Sequence, residues 1–584
     1  MTHERRNIVI LGAFWLAFSA LITIASWHAL QQRQFPDPDD VMRLLQVRDW
    51  IGGQSWFDVT QYRLNPPAGV PMHWSRLVDV PIAAVILITR PFVGEWGAET
   101  AALVAVPLLT LGIVMLLVNA IGCKLTSSKA ALVAAMATPF SLGTLKQMRP
   151  MRVDHHGWQI VMALAAILAA LDPRQRRSGV VAGIAMALWL NISIEGLPFA
   201  AAVGALFAWR WLQTASEAER LKSYLAALAV SSLLLFGLTH YPSTWFTQPR
   251  DVVTSAHLAA FTVAALIAGF AVRPTTTDWR TRLAVLASVG AATLTAIFSI
   301  DPHWLKGPFG SLPPLVKEMW YNQIDEGLPV WQVGWDEAAA AVAQPLVGIV
   351  GALLAVYSSS GEERERWVTY LFLLLAATGA SAYVIRFGTT ASIIALPATA
   401  YLCQRAYRGA RKLSVMPVRV VATTGALCIM TPAFAVPLTV APVNTRLQNA
   451  VKASDFCTRR TEIEKLRALP AGEIAAPVEI TPALLLSTNH KAVATGHHRN
   501  ASGINDVLEL FLYAPSEGAK IVARRHVDYL VFCPNAPESI RFANRGRGGL
   551  AAMLQAGKAP AWLQPIEVPG LRGLKVWQVR LIAA

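Results

Sequence analysis

Residues 149–171 read RPMRVDHHGWQIVMALAAILAAL. The polar cluster Arg149 to His156 opens an apolar run over 157–171, after which the chain turns at Asp172-Pro173 into the basic group Arg174 to Arg177. An apolar run approaching the ~20 residues of a bilayer crossing, with cations collected at one end, reads as a transmembrane helix whose basic end lies in the cytoplasm. The Asp154-His155-His156 group then lies outside. An aspartate just before an apolar helical run also suits a helix N-cap, which would account for Asp154 but not for the two histidines.

The same pattern extends in both directions. Apolar runs lie at 8–28, 98–120, 129–145, 157–171, 179–194, 196–213, 223–240, 254–272, 283–300, 341–359, 368–385, 388–404 and 415–436, about thirteen crossings at ~20 residues each. A shorter run, 80–93, is broken by Pro81 and Pro91 and suits an interfacial helix. Composition agrees: the 584 residues are 54% hydrophobic and 15% charged, against about 25% charged in soluble domains. The net charge of +15 would suggest a nucleic-acid partner only if it formed one patch. Instead Arg5 and Arg6, Lys124 and Lys129, Arg174 to Arg177, Arg210, Arg273 to Arg282, Arg364 and Arg366, and Arg405 to Lys412 fall on one side of the predicted spans. That side is cytoplasmic, so the charge reports topology and nucleic acid is excluded. The first apolar run exceeds a signal-peptide core of about 7–15 residues, and bulky Trp27-His28 follows it, which favours an uncleaved first span.

An odd number of crossings places residues 437–584 outside. The chain divides into a transmembrane unit, 1–436, with external loops 31–97 and 301–340, and a small α/β domain, 437–584. In the latter, Ala475 to Ile480 and Val527 to Phe532 read as strands and Asp506 to Tyr513 as a helix. Cys457 and Cys533 lie in this domain, where an oxidising compartment permits a bridge but two free thiols are equally compatible. Cys123, Cys403 and Cys428 read as packing residues.

Four polar clusters face outward: Phe35 to Asp40 after the first span; Arg149 to His156; Asp325-Glu326 between Trp320 and Trp331; and Arg386 in a short turn. Singly, each suits a solvated loop or an interfacial anchor. Together, carboxylates at a membrane boundary require cations or water, and Asp and Glu oxygens with an imidazole suit Mg²⁺ or Mn²⁺. Glu195, alone in a turn, could join a site, although a lone turn acid more often faces solvent. The tryptophans near span ends form an interfacial belt. The sequence has no phosphate-binding P-loop and no dinucleotide fingerprint, so an ATP-driven pump is disfavoured.

In order and in sidedness these clusters resemble the GT-C class of membrane glycosyltransferases, and more closely the catalytic subunit of oligosaccharyltransferase in its bacterial and archaeal forms. Asp37-Pro38-Asp39, followed by Arg43, resembles that family's first acidic motif. Trp56-Phe57-Asp58 and Asn65-Pro66-Pro67-Ala68-Gly69 are similar to its Trp-Phe-Asp and Tyr-Pro-x-Gly stretch. Asp154-His155-His156 resembles its second acidic motif, Asp-x-Asp or Asp-x-His. Ile324 to Pro329 resembles its Glu-x-x-Pro segment, and Arg386, followed by Ala395-Leu396-Pro397, its donor-phosphate arginine. The resemblance covers about 440 residues. The family's Trp-Trp-Asp acceptor signature is missing, and Val527-Asp528-Tyr529 is only an echo of it. The C-terminal domain offers instead Ser487 to His490 and Gly496 to Asn500, two polar segments that suit either a solvated loop or the membrane site.

The resemblance implies a polytopic α-helical membrane protein of the GT-C fold with a C-terminal α/β domain, in a bacterial inner membrane, N-terminus cytoplasmic and C-terminal domain periplasmic. It implies transfer of a sugar or oligosaccharide from a polyprenyl phosphate or pyrophosphate to a glycan, lipid or protein acceptor. Asp39, Asp154, His156 and Glu326 are expected to hold Mg²⁺ or Mn²⁺, Asp37 and Asp39 to act in catalysis, and Arg386 to bind the donor phosphate. Asp40, Arg43, His155, His498 and Arg499 are further candidates. The rival reading is a transporter or flippase of lipid-linked glycans, which would set its polar groups at the bilayer midplane in paired repeats; here the acids fall in external loops and no repeat is found.

Overall fold

The computed structural model describes residues 3–141, 143–432 and 456–580. Each of the thirteen apolar runs overlaps a helix. By length and composition, five helical stretches among the described residues can cross a membrane: Arg6–Ala25, Arg76–Leu125, Ala215–Thr239, Trp279–Ile300 and Trp335–Ser358. Others are short. His156–Ala170 has 15 residues, about 22 Å at 1.5 Å per residue, and one face after another is buried by neighbouring helices. Large apolar side chains such as Leu21, Ile24, Phe92, Leu234, Phe270 and Tyr357 point outward from the bundle, as lipid contact requires.

Small residues bring the helices close. A Cβ on Gly179 would sit 2.4 Å from the carbonyl oxygen of Arg220, and one on Gly183 would sit 2.7 Å from that of Tyr224, so Gln175–Ile192 can approach Ala218–Thr239 only through glycine. Gly348 and Gly351 play the same part against Ala395 and Ala398. Lipid supplies no hydrophobic force between spans, so backbone proximity and dispersion do this work.

Three expected boundaries change. The run 129–145 yields a helix only over Ser128–Ala137, ended by a single tight turn at Thr138–Phe140 that contains Pro139. The run 80–93 lies in a helix that starts at Arg76 and breaks at Gly94, where φ is 69°, before the chain continues helical to Leu125. The run 415–436 is helical over Met416–Cys428, and its end, with the 436/437 boundary, lies outside the described residues.

The C-terminal residues build a five-stranded sheet in the order β4-β3-β5-β7-β6, from β3 (Glu473–Ala475), β4 (Lys491–Ala492), β5 (Tyr529–Phe532), β6 (Leu563–Pro565) and β7 (Lys575–Val579). Strand β3 is parallel to β4 and β5, whereas β7 runs antiparallel to β5 and β6. The strand expected over 475–480 stops at Ala475, and the chain turns at Pro477 to Ile480. The helix expected over 506–513 is Ala501–Leu512, and its Phe511 stacks on Phe532 and Phe542 beneath the sheet. Cys457 and Cys533 form a disulfide. The remaining strands, β1 (Thr60–Gln61) and β2 (Val70–Pro71), pair antiparallel in the first external loop. The sheet docks onto this loop. Leu64 bridges to Ala492, Arg63 donates to the carbonyls of Leu485 and Thr488 at 2.6 and 2.7 Å, and Arg48 donates to that of Leu486 at 2.9 Å.

Candidate active site

The acidic motif Asp37-Pro38-Asp39-Asp40 is a helix start. Asp37 caps Pro38–Ile51, its Oδ1 accepting from the amide of Asp39 at 2.9 Å, with Pro38 in the first turn and Asp39 and Asp40 at the positive end of the dipole. Asp40 points inward. Its Oδ1 accepts from the amides of Val153 and Asp154 at 2.8 and 2.9 Å and its Oδ2 from Arg152 at 2.9 Å, so it braces the second motif against the first and is not open as a ligand. Arg152 also holds Asp37 at 2.9 Å.

The N-cap reading of Asp154 is overturned. The cap position before His156–Ala170 is His155, with no side-chain cap bond. Asp154 is instead buried between Arg43 at 3.2 Å and the imidazoles of His155 and His156 at 2.6 and 3.3 Å. Arg43 is itself fully buried and spans from Asp154 to Asp79, also at 3.2 Å. It therefore orients the aspartate from behind. Asp154, His155 and His156 offer ligand atoms all within 4.8 Å of one another, and Asp154 Oδ2 is buried without a hydrogen bond. An unsatisfied carboxylate oxygen beside two imidazoles fits a divalent cation. Asp39 and Glu326, expected in the same ligand set, are engaged elsewhere: Asp39 with His497 at 3.2 Å, and Glu326 with Arg386 at 3.7 Å.

Of the predicted residues, Asp37, Asp39, His155, Glu326, Arg386 and His498 line one cavity of about 1040 Å³, whereas Asp40, Arg43, Asp154, His156 and Arg499 do not. Backbone bonds from Val330 to Ala382 and from Ile385 to Leu328 clip the loop segment of Glu326 onto the turn of Arg386. Burial pushes the Asp37 carboxyl up to about 6, the nearby Asp39 charge adding to this and Arg152 opposing it. Burial would also raise Asp39, but the hydrogen bond and charge of His497 hold it at about 2. Arg386 stays firmly cationic: burial works against its charge, and Glu195 and Glu326 outweigh it.

Four lining residues fall outside the set of predicted site residues. Glu195 is not solvent-facing. Ser193 caps its short turn, its Oε1 meets Arg386 at 3.2 Å, and its Oε2 accepts from Gln159, which also meets His156. Asp251, in the loop before Ser255–Ala271, is held by both Arg499, through two bonds at 2.8 and 2.9 Å, and His498 at 2.6 Å. His73 follows β2, and its ring lies 4.7 Å from that of His498. His497 belongs to the polar segment Gly496 to Asn500, which thus faces the cavity; Ser487 to His490 lies instead where the sheet docks on Arg63. Only chain docking places these four, and no local spacing announces it.

No protein-family model matches the sequence, and no curated protein does. Solved structures do. The oligosaccharyltransferase AglB from Archaeoglobus fulgidus, in complex with an inhibitory peptide and a dolichol-phosphate, aligns over 94% of this chain and 72% of its own, at 15% identity and a TM-score of 0.65. The apo form of the Archaeoglobus fulgidus enzyme aligns over 96% and 73%, at 16% identity and a TM-score of 0.67. Its complex with Zn and sulfate aligns over 92% and 70%, at 13% identity and a TM-score of 0.57. The chain has the fold of the archaeal oligosaccharyltransferase AglB.

Proposed function

We propose that the protein is a membrane glycosyltransferase that moves a sugar or oligosaccharide from a polyprenyl phosphate or pyrophosphate donor to an acceptor at the extracytoplasmic surface. One observation carries this reading: a single cavity sets the Arg386 cation at one wall and the carboxylates of Asp37 and Asp39 at another. Glycosyl transfer from a lipid phosphate needs both, a cation for the oxyanion that leaves and a carboxylate for the proton that the acceptor loses.

Arg386 binds the donor phosphate, its guanidinium aimed by Glu195 and Glu326. Asp37, with its carboxyl near 6, takes the proton of a hydroxyl acceptor. Asp154, His155 and His156 would hold a divalent ion, with Asp154 oriented from behind by Arg43. Such an ion would supply Lewis-acid stabilisation of phosphate charge. The imidazoles in this group favour Mn²⁺ over Mg²⁺. The AglB complex with Zn and sulfate supports a divalent ion in this fold. The complexes of AglB with dolichol-phosphate and with a peptide support a lipid-linked donor and a separate acceptor. The disulfide Cys457–Cys533 supports an oxidising, extracytoplasmic location for the C-terminal sheet, and the basic loops support a cytoplasmic N-terminus. The apolar helices and the positive-inside pattern suit a bacterial inner membrane.

The test is transfer from a labelled lipid-linked sugar in reconstituted membranes, with Mn²⁺ and with chelator. Asp154→Ala and Arg386→Ala are expected to abolish transfer, and chelator to suppress it. Undiminished transfer in both variants rejects the assignment. Movement of labelled lipid between leaflets without transfer would favour the flippase reading.

A further inference from the structure

We propose that His73, Asp251 and His498 form a second divalent-metal site, of the zinc class, in the wall of the same cavity and separate from the Asp154 group. The three residues come from remote parts of the chain: the end of the first external loop, the loop before Ser255–Ala271, and the turn that opens Ala501–Leu512. Each offers one ligand atom, and these atoms lie within 4.8 Å of one another.

The chemistry of the three groups favours a metal over a plain ion pair. Asp251 is more than satisfied, since Arg499 alone reaches both of its oxygens, so His498 is not needed for charge. His73 lies near that pair with its Nδ1 buried and without a hydrogen bond. An unmade bond on a buried imidazole costs about 1–3 kcal/mol, and a metal ligated there would satisfy it.

Two imidazoles and one carboxylate are a donor set that zinc accepts, with a further position open for water or ligand. That position faces the cavity, which all three residues line. Arg499 acts in the manner of outer-sphere partners of metal carboxylates: it fixes the orientation of Asp251 while Oδ1, which carries only one bond here, keeps a lone pair. Apolar walls close the site, with the ring of Phe309 edge-on to His498 at 5.1 Å and that of Trp74 at 5.1 Å from His73. A metal bound here would join the C-terminal sheet region to two external loops.

The experiment uses the full chain in detergent, stripped with chelator, dialysed against Zn²⁺, and assayed for zinc per chain. His73→Ala and His498→Ala are each expected to bind one zinc fewer than the wild type, and Zn²⁺ is expected to raise the thermal midpoint of the wild type but not of His73→Ala. Equal zinc counts in the wild type and in both variants would overturn the site. Should His498→Ala fail to fold, His73→Ala decides alone, because the unbonded Nδ1 gives that variant little to lose. Neither readout depends on glycosyl transfer, so the site stands or falls apart from the proposed activity.

Discussion

Asp37 is held at a cost to the fold, and the cost can be measured. Its carboxyl moves from 3.8 to about 6, which at 1.36 kcal/mol per pH unit is about 3 kcal/mol. The side chain is 28% exposed, so most of this survives screening. A raised carboxyl contributes its full stability below pH ~4, where it is protonated in both the folded and unfolded states, and the contribution fades as pH rises through about 6. Asp37→Asn removes the charge, keeps the helix cap, because Asn caps as well as Asp, and leaves Arg152 its contact with Asp40 at 2.9 Å. The variant is therefore expected to exceed the wild type by about 1 kcal/mol at pH 4.5 and by about 3 kcal/mol at pH 8. With an unfolding entropy of about 2.1 cal/mol/K per residue, this corresponds to about 2 °C for a chain of 584 residues. Thermal unfolding in detergent across pH 4.5–8 measures it, alongside transfer activity, which the same substitution should abolish. A difference that is constant with pH, or a wild type more stable than the variant at pH 8, would refute the reasoning.

Three further outcomes follow from the same geometry. Arg386→Ala removes a charge-assisted contact worth about 1.5–3 kcal/mol, so any residual transfer should show a donor KM raised roughly tenfold to hundredfold; an unchanged KM in steady-state kinetics excludes Arg386 as the phosphate ligand. Arg499→Ala leaves the carboxylate of Asp251, 6% exposed, with His498 alone. Breaking a buried pair costs about 3–5 kcal/mol, and the loss should appear as a lower thermal midpoint and as faster proteolysis of the region around residue 499. Cys457→Ser with Cys533→Ser opens a bridge spanning 76 residues, which by the chain-entropy relation removes about 4–5 kcal/mol; unfolding of the sheet region under reducing and oxidising conditions should then coincide, whereas in the wild type the two should differ.

The helical scaffold was legible because lipid imposes long apolar runs, and thirteen of them reappear as helices. Hydropathy failed at 129–145, where Pro139 ends the helix inside an otherwise apolar stretch. Of the acids and the arginine singled out by their order along the chain, Asp39, Glu326 and Arg386 line one cavity, while Asp154 lies outside its lining. Spacing could not say which acids would be braces. Asp40 and Asp39 are neighbours, yet the first turn of their helix sends one to the backbone of Val153 and Asp154 and the other toward His497. Glu195 looked like an isolated turn acid because its partner, Arg386, is far along the chain and meets it only when the bundle closes. His73 and Asp251 were silent for the same reason, as was the burial of Arg43.

The docking of the C-terminal sheet on the first external loop also bears on the order of synthesis. Leu64 waits for Ala492, and Arg63 for the carbonyls of Leu485 and Thr488. During translation, the acidic motif at Asp37 to Asp40 is made long before His497. A ribosome adding about 5–20 residues per second keeps that half-built cavity without its C-terminal wall for many seconds. A chain truncated before the C-terminal sheet would hold the carboxylates and Arg386 but no His497 to pair with Asp39, so the finished site can exist only once residue 497 has been made and docked.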